Sequence, residues 1–279
     1  MKLFCPTCGP NCPSRPYDIR SGYVLRRCTA CGLVFMEELT EAVNADFYED
    51  VAEQAGGDAI EYWSFPDKFD AYRPVFEGFF EERWDLLRSA TPNIRRLLDV
   101  GCGYGLFLQY AARQGPTCVG LELDPTVATH AREAYGLDVR SIRVEDFYDD
   151  TPFDAIVMAD VLEHLPDAKE VLTSCRQLLA PDGVLFIQVP NVLGFKLPWG
   201  QGWGLPHHIW QFSRSSLRQL LNAAGFQIAS MQTGIMGVIG VYERGGPSWS
   251  DQINWSLART LGIGNRLAVV AIPHRAENP

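Results

Sequence analysis

The sequence predicts an α/β fold, with a largely parallel sheet and helices on both of its faces. Three observations predict it. Short apolar segments alternate with segments of helical spacing from residue 96 onward. A glycine-rich loop separates the first apolar segment from the first helical one, and glycine or proline bounds the early helical segments. Helices of this length between strands are the crossover connections that parallel strands require.

The elements follow one another in a regular order. Strand patterns occupy residues 95–101, 117–123, 137–144, 153–161, 184–190, 226–233 and 266–272, and helical patterns occupy 106–115, 125–136, 169–183 and 213–225. Gly115 and Gly136 follow the first two helices, Pro125 begins the second, and Ser213 is an N-cap candidate for the last. Residues 191–212 are irregular and rich in aromatic side chains.

Composition excludes some classes of protein. The chain has 279 residues, 47% of them hydrophobic, so a packed core is expected. No run of 18 apolar residues indicates a membrane span, and the first residues lack the apolar centre of a signal peptide. The formal net charge of −10 disfavours a phosphate backbone as partner, so nucleic acid is an unexpected ligand. We therefore expect a cytoplasmic protein; the sequence gives no indication of oligomeric state.

Four cysteines near the start of the chain form two Cys-x-x-Cys pairs. The pairs are Cys5–Cys8 and Cys28–Cys31, and Gly9 follows the first of them as Gly32 follows the second. Two such pairs on facing hairpins make a closed tetrahedral site, for which zinc is the usual metal. The sequence thus predicts a structural zinc held by these four thiolates. Cys12 is an alternative to Cys8 as the second ligand.

The chain divides into three predicted segments. Residues 1–36 form a zinc-ribbon-like unit, 37–95 a helical lid or linker, and 96–279 the α/β domain. Within the lid, residues 74–87 have the apolar spacing of a helix face, and Phe47 and Tyr48 are candidate anchors to the sheet. Four arginines beside the cysteine pairs allow a nucleic-acid contact, although solvated charges on a small hairpin explain them as well. They are Arg15, Arg20, Arg26 and Arg27.

The loop after the first strand reads LLDVGCGYG. Its glycines, Gly101, Gly103 and Gly105, open a helix N-terminus, which is a common cradle for a nucleotide or anion. However, the spacing differs from the G-x-G-x-x-G of dinucleotide-binding folds. Asp99 precedes the loop, and its carboxylate would repel a pyrophosphate but attract an ammonium group.

Acidic residues also follow the next three strands. Glu122, with Leu123 beside it, lies where a carboxylate can accept both hydroxyls of a ribose, although Asp124 is close enough to be confused with it. Asp146 can accept from an adenine amino group, with Phe147 near the ring, and Asp160 ends the fourth strand. A ligand with an ammonium group, a ribose, an adenine and no phosphate matches this order, and S-adenosylmethionine is such a ligand.

Residues 96–190 resemble class I S-adenosylmethionine-dependent methyltransferases, and the resemblance extends to the end of the chain. LLDVGCGYG resembles the first motif of that family, GLELDP the second, VLEHLPD the motif after the fourth strand, and LLAPDGVLFIQVPN the segment around the fifth. HHIWQFSRSSLRQLLNAAGF is similar to the following segment in small-molecule enzymes of the ubiquinone O-methyltransferase type. The resemblance implies a Rossmann-like seven-stranded methyltransferase sheet.

Three histidines are candidates for the catalytic base that an alcohol, phenol or acidic carbon requires. His207 and His208 lie after the fifth strand, where a substrate lid is expected, and His164 follows the fourth strand. Each also has a structural interpretation: backbone hydrogen bonding for the first two, and capping of a turn for His164. Aromatic residues of 191–212 suit either a lid on a ring-bearing acceptor or packing onto the sheet; they are Phe195, Trp199, Trp203, Trp210 and Phe212.

The function expected from these motifs is methyl transfer from S-adenosylmethionine to a small-molecule acceptor. An oxygen of a sugar, phenol or natural-product intermediate is the expected target. One alternative is an RNA methyltransferase that uses the ribbon to contact RNA, and another is a non-catalytic scaffold that binds the cofactor. The acidic net charge disfavours the first, and the intact glycine loop disfavours the second.

Overall fold

A computed structural model describes residues 1–39, 66–191, 203–234 and 246–274, and these ranges contain eleven strands and seven α-helices. The strands are β1 (Ser14–Arg20), β2 (Tyr23–Cys28), β3 (Val34–Met36), β4 (Arg96–Val100), β5 (Thr117–Leu121), β6 (Asp138–Arg140), β7 (Phe153–Ala159), β8 (Leu179–Pro190), β9 (Trp210–Gln211), β10 (Phe226–Gly234) and β11 (Arg266–Pro273). The helices are α1 (Pro66–Ala71), α2 (Arg73–Ala90), α3 (Leu106–Ala112), α4 (Pro125–Tyr135), α5 (Ala168–Leu178), α6 (Arg214–Ala223) and α7 (Trp249–Leu261).

Seven strands form the central sheet, in the order β10-β11-β8-β7-β4-β5-β6. The pairs from β8 through β6 are parallel, whereas β11 is antiparallel to both β8 and β10. The predicted α/β class and the seven strands are confirmed, and the antiparallel strand makes the sheet mixed. Because five neighbouring strands run the same way, their carboxyl ends meet at one edge of the sheet, where open α/β folds bind ligands.

Side chains alternate between the two faces along each strand, and each face has its own apolar cluster. Leu97 packs with α2, α3 and α4 on one face, which we call the α2 face. Leu98 packs in the cluster that holds α5, α6 and the ribbon residues. Asp99, two residues after Leu97, therefore projects toward the α2 face.

Some predicted boundaries were inaccurate. The third strand predicted for the main sheet is β6, which is only three residues long. Strand β8 begins at Leu179, where the sequence pattern indicated the end of a helix. Helix α7 was not predicted, although Ser248 and Asp251 form a capping box at its start and Gly262 ends it in a left-handed conformation. None of the helices in the described ranges combines the length and hydropathy that a membrane crossing requires.

The amino-terminal residues form a second, four-stranded sheet in the order β1-β2-β3-β9. The first three strands come from residues 14–36, but β9 comes from the chain after the fifth strand of the main sheet. Val34 pairs with Gln211 and Phe35 with Trp210 in antiparallel register. The ribbon-like unit is thus completed by two residues from a distant part of the sequence.

Trp210 links this small sheet to the rest of the protein. Its side chain is 1% exposed, and its ring centroid lies 5.9 Å from that of Phe35. The indole Nε1 donates a hydrogen bond of 2.7 Å to the carbonyl oxygen of Leu165, in the loop after β7. One side chain therefore joins the small sheet to the loop that follows β7 of the main sheet.

Trp210→Phe should lower the free energy of unfolding by about 1–3 kcal/mol, because the partly buried Leu165 carbonyl loses its donor. Trp249 is 78% exposed, so Trp249→Phe is a matched control that should change stability by less than about 0.5 kcal/mol. Urea denaturation followed by circular dichroism measures both. Equal effects of the two substitutions would show that Trp210 does not couple the sheets.

Candidate functional site

The four predicted zinc ligands lie together. The Sγ atoms of Cys5, Cys8, Cys28 and Cys31 are all within 4.8 Å of one another, and those of Cys5 and Cys31 are 3.4 Å apart. Tetrahedral zinc with Zn–S bonds of about 2.3 Å separates its sulfurs by about 3.8 Å, so the cluster has the size of such a site. The hydrogen bond from the Cys31 thiol lowers the pKa of Cys5 to about 5.

The backbone around the cluster has the turns that the sequence predicted. Gly9 donates to the carbonyl of Cys5 and Gly32 to that of Cys28, and both glycines have positive φ angles, of 79° and 76°. Cys12 lies outside the group of four, with its Sγ 3.5 Å from that of Cys28. The geometry therefore favours Cys8 over Cys12 as the second ligand.

The arginines of the ribbon are partly engaged within the protein. Arg26 forms an ion pair of 2.9 Å with Glu37 and donates to Ser14. Arg20 pairs with Asp18 at 2.6 Å, and its guanidinium lies 5.3 Å from the ring centroid of Trp203. These contacts support a structural role for the two arginines.

The glycine loop connects β4 to α3 by a tightly packed turn. Gly101, Gly103 and Gly105 have φ angles of 69°, 53° and 77°, in the left-handed region that favours glycine. A Cβ on Gly101 would lie 2.5 Å from a methyl of Val161, and one on Gly105 would lie 2.6 Å from Leu137. Glycine is therefore required at both positions, and Val161 places the loop after β7 directly against the glycine loop.

Asp99 is a buried carboxylate at the end of β4. It is 4% exposed, and burial raises its pKa to about 7, with Glu122 adding to the shift and Arg83 opposing it. Arg83 projects from α2, is 8% exposed, and was not predicted as a site residue. Its signal in the sequence is a charged residue within the apolar face of α2, between Phe80 and Trp84.

Glu122 follows β5 and is 7% exposed. Its Oε2 accepts from the backbone N–H of Gly103 and its Oε1 from that of Asp124, both at 2.9 Å. Burial raises its pKa. Asp124 is instead the N-cap of α4, accepting from Thr126 and Val127. The two adjacent acids thus have different roles, and Glu122 is the one held against the glycine loop.

The remaining predicted cofactor contacts differ in exposure. Leu123 is 59% exposed beside Glu122, and Asp146 is exposed in the turn after β6. Phe147 is 7% exposed and packs in the core, with its ring centroid 6.3 Å from that of Phe153. The side chains of Leu123 and Asp146 are therefore accessible to solvent at this edge of the sheet. Phe147 packs in the core below the turn that contains Asp146.

Asp160 ends the fourth parallel strand in a left-handed conformation, with a φ of 55°. Its Oδ2 accepts from the side chain of Gln188 at 2.6 Å, and its Oδ1 lies 3.0 Å from Nε of Arg266. These contacts join the ends of β7 and β8 to the start of β11. Asp160 is thus part of a charged network at the same edge as Asp99.

Two of the three histidines have adjacent rings. The ring centroids of His164 and His208 are 4.8 Å apart in an edge-to-face arrangement. Nδ1 of His164 lies 3.0 Å from the carbonyl oxygen of His207. The His207 side chain is 8% exposed. The contact of His207 with His164 is made by its backbone carbonyl.

The contact with the His207 carbonyl determines the tautomer of His164. A carbonyl only accepts hydrogen bonds, so Nδ1 carries the proton and Nε2 carries the lone pair. Burial lowers the pKa of His164 to about 4, so the ring is neutral at physiological pH. Burial also lowers the pKa of His208. His164 therefore presents a basic nitrogen whose ring orientation is set.

Glu163 completes this cluster. It is 0% exposed, and neither carboxyl oxygen has a hydrogen-bond partner among the described residues. Burial and the nearby charge of Asp160 raise its pKa well above the usual range. One ligand atom each of Glu163, His164 and His208 lies within 4.8 Å of the others. The sequence placed Glu163 in a motif without giving it a role.

Hydrogen bonds within residues 203–211 fix the backbone around His207 and His208. The Gln211 side-chain amide donates to the carbonyls of Trp203 and His208, and the backbone N–H of His208 donates to Gly204. A Cβ on Gly204 would collide with the ring of His208, and the φ of Gly204 is 65°. The short strand β9 thus begins two residues after His208, and its Gln211 contacts the His208 backbone.

The aromatic residues of this segment pack rather than line an acceptor pocket where the structure describes them. Trp210 and Phe212 are 1% and 0% exposed, and Trp203 lies 6.2 Å from Tyr17 of the ribbon. Packing, one of the two interpretations given above, therefore holds for Trp210 and Phe212. Phe47, Tyr48, Phe195 and Trp199 lie outside the described residues.

Known proteins resemble this chain at the level of both sequence and fold. A family described as "Methyltransferase domain" matches residues 38–231. The ubiquinone biosynthesis O-methyltransferase of Actinobacillus pleuropneumoniae serotype 5b (strain L20) is 37% identical over 108 residues, which are 35% of this chain and 46% of that protein. Its counterpart in Xanthomonas oryzae pv. oryzae (strain PXO99A) is 30% identical over 166 residues, which are 56% and 67% of the two chains. The chain thus spans about half to two thirds of the length of these relatives.

A solved structure shares the fold at low identity. It is the 1,6-didemethyltoxoflavin-N1-methyltransferase of Burkholderia thailandensis, with bound 1,6-didemethyltoxoflavin and S-adenosylhomocysteine. The TM-score is 0.52 at 19% identity, covering 93% of this chain and 99% of that one. The family match extends over more than half of the 279 residues. The chain therefore belongs to the methyltransferase-domain family and has the fold of a class I S-adenosylmethionine-dependent methyltransferase.

Proposed function

We propose that this protein transfers a methyl group from S-adenosylmethionine to an oxygen of a small-molecule acceptor. The observation that carries the proposal is that His164 is neutral and has a fixed tautomer. It lies in the loop after β7, and this loop packs against the glycine loop after β4. Val161 contacts Gly101 and precedes the short 3-10 helix Leu162–His164, so the base candidate and the cofactor cradle share one edge of the sheet. The ubiquinone biosynthesis relatives, which are named as O-methyltransferases, support oxygen as the target.

The residues present suit the methyl donor. Asp99 is the buried anion for its ammonium group, and the Glu122 carboxylate lies against Gly103, where it suits the ribose hydroxyls. Leu123 and Asp146 are accessible for the adenine. When bound, the donor supplies an electrophilic methyl group on a positively charged sulfur. The acids at this edge favour such a cation and disfavour a nucleotide with phosphates.

His164 is the proposed base for the acceptor hydroxyl. Its Nε2 takes the proton, while the His207 carbonyl keeps the ring in place through Nδ1. The nearby charge of Asp160 favours the protonated ring and so opposes the effect of burial. The ring of His208 limits the approach to one side of His164. A dry, oriented site of this kind gains rate mainly from alignment.

The four-cysteine cluster is proposed as a structural zinc site. All four ligands are thiols, so no coordination position stays open for catalysis. The site lies in the sheet that β9 completes, and metal binding would therefore stabilise the strand that follows His207 and His208.

The division into a ribbon (1–36), a helical lid (37–95) and a catalytic domain (96–279) stays part of this proposal. So do the cytoplasmic location and a small-molecule acceptor as the partner.

Asp99→Asn should weaken binding of S-adenosylhomocysteine, because the ammonium group loses its charged partner. We expect a loss of about 10- to 100-fold in affinity by isothermal titration calorimetry. Glu122→Gln should weaken binding less, since the amide keeps one acceptor. Asp182→Asn, at an exposed position of β8, is the matched control and should leave the affinity unchanged. Unchanged affinity in Asp99→Asn would remove this residue from the site.

The same titration should depend on pH in a defined direction. The pKa of free Asp99 is raised to about 7, so its carboxylate is ionised above pH 7 and protonated below it. Binding of the ammonium group requires the ionised form, so affinity should fall about tenfold per pH unit below 7. Asp99→Asn should flatten this dependence between pH 6 and 8, and an unaltered slope would contradict the assignment.

His164→Gln should lower kcat by about 10²- to 10⁴-fold without changing the affinity for S-adenosylhomocysteine, because only proton removal is lost. A panel of phenolic and sugar acceptors, with S-adenosylhomocysteine release as the readout, measures kcat. His274→Gln, at an exposed position, is the control. If His164→Gln retains full activity on an acceptor that the unmodified protein methylates, His164 is not the base.

Metal analysis of the purified protein should give about one zinc per chain. Cys5→Ser should remove most of the zinc and lower the melting temperature, because it deletes one of four ligands. Cys12→Ser should change neither, since Cys12 lies outside the group of four. Equal loss of zinc in both variants would contradict the ligand assignment, and the absence of zinc in the unmodified protein would overturn the site.

A further inference from the structure

We propose that the outer face of α7 is a self-association surface, on which a second copy of this chain packs through its own α7. The inference is independent of the proposed function, because it uses no residue of the cofactor site or of the histidine cluster. It depends on the exposure of four apolar side chains, on their spacing along the helix, and on the absence of charge beside them within this helix.

Large apolar side chains of α7 are exposed at regular intervals. Trp249 is 78% exposed, and three more exposed apolar residues follow it at intervals of four: Ile253 at 38%, Leu257 at 52% and Leu261 at 66%. The structure describes every residue of this helix, and Ala258 alone is buried. Single exposed apolar side chains are ordinary, whereas a contiguous group of them marks an interaction site.

The spacing places the four side chains in one row along the outer side of the helix. Residues four apart are neighbours on a helix surface, so each member of the row touches the next position in it. When rows of this kind on two helices interdigitate, the helices cross at about −50°, the commonest packing class in globular proteins. The row can therefore pack against a copy of itself.

A two-fold axis brings two such rows together in an antiparallel sense. The centre of the row lies between Ile253 and Leu257. Symmetry about that point sets Ile253 of one copy against Leu257 of the other, and the bulky Trp249 toward the smaller Leu261. An isologous contact of this kind requires only one self-complementary patch on each copy.

The outer side of α7 carries no charge. The exposed residues beside the row have small uncharged side chains: Ser250, Asn254 and Thr260. The two charged residues of the helix have partners within the chain, since Asp251 accepts from the backbone N–H of Ser248 at 2.9 Å and Arg259 pairs with Glu82 at 3.1 Å. Two chains with a net charge of −10 repel each other, so they approach best where the facing surfaces are uncharged.

A second copy suits this face better than a lipid surface does. Helices that lie on membranes are rich in lysine and arginine on their polar side, and anionic headgroups attract these cations. Helix α7 has one arginine, Arg259, which is already paired. The net charge of −10 further opposes binding to an anionic surface.

The exposed area is sufficient for a weak dimer. The exposed fractions of the four side chains correspond to roughly 450 Å² on each copy, if a free tryptophan offers about 250 Å². Two copies together bury about 900 Å² of these side chains, and the flanking residues bring the total toward the ~1,200 Å² of the smallest specific interfaces. We therefore expect a dissociation constant of about 1–100 µM.

Sedimentation equilibrium of the full chain tests the proposal, and it should show a reversible monomer–dimer equilibrium with a Kd in this range. Leu257→Glu places a charge in the middle of the row and should raise the Kd by at least about tenfold. Ile19→Glu is the matched control, because Ile19 is 67% exposed on β1 and the variant adds the same charge; it should leave the Kd within about twofold. Added salt should tighten the dimer, because it screens the repulsion between the two acidic chains.

Four outcomes contradict the inference. They are a monomer throughout the concentration range, an unchanged Kd in Leu257→Glu, an equal effect of the two substitutions, and a dimer that salt dissociates. Binding of a monomeric protein to vesicles of phosphatidylglycerol and phosphatidylcholine, lost in Leu257→Glu, would make lipid the occupant and also overturn it. If circular dichroism shows that Leu257→Glu is unfolded, Trp249→Ser replaces it, with the same expected weakening of the dimer.

Discussion

The structure depends on how one acidic side chain is accommodated inside an apolar layer. Asp99 lies near the end of β4, the middle one of the five parallel strands, between residues that pack on the two faces of the sheet. Burial of a carboxylate is unfavourable without compensating charge or hydrogen bonds. The neighbouring elements supply that compensation in part, through Arg83 on a helix that crosses this face. Because Arg83 offsets the cost of burying the Asp99 carboxylate only in part, a cationic ligand is favoured at this edge of the sheet.

Much of this arrangement follows from local sequence signals. The loop around Gly101 and Gly105 was recognisable because tight turns with positive φ angles favour glycine. The parallel strands then place Glu122 and Asp160 at the same edge, as strand order alone predicts. The turns at Gly9 and Gly32, which follow the two Cys-x-x-Cys pairs, were equally predictable from the cysteine spacing. In each case a few adjacent residues contain the whole signal.

The parts that were not predictable depend on contacts between distant residues. Arg83 interrupts the apolar face of a helical pattern, but the pattern alone does not show that the sheet covers this charge. The pairing of His164 with His208 requires the backbone of residues 203–211 to return to the loop after β7. Trp210 and Phe212 were equally consistent with a lid and with a core, since aromatic residues serve both. Only the three-dimensional arrangement distinguishes these possibilities.

The pairing of β3 with β9 has a consequence for the modularity of this enzyme. A ribbon that closes its own sheet can be exchanged between proteins as a unit, but here the closing strand belongs to the part of the chain that forms the main sheet. Recombination that replaced the first 36 residues would remove the strand with which Trp210 and Gln211 pair. These two residues lie close in sequence to His207 and His208. The amino-terminal unit and the histidine-bearing segment are therefore expected to be inherited, and to diverge, as one co-adapted piece.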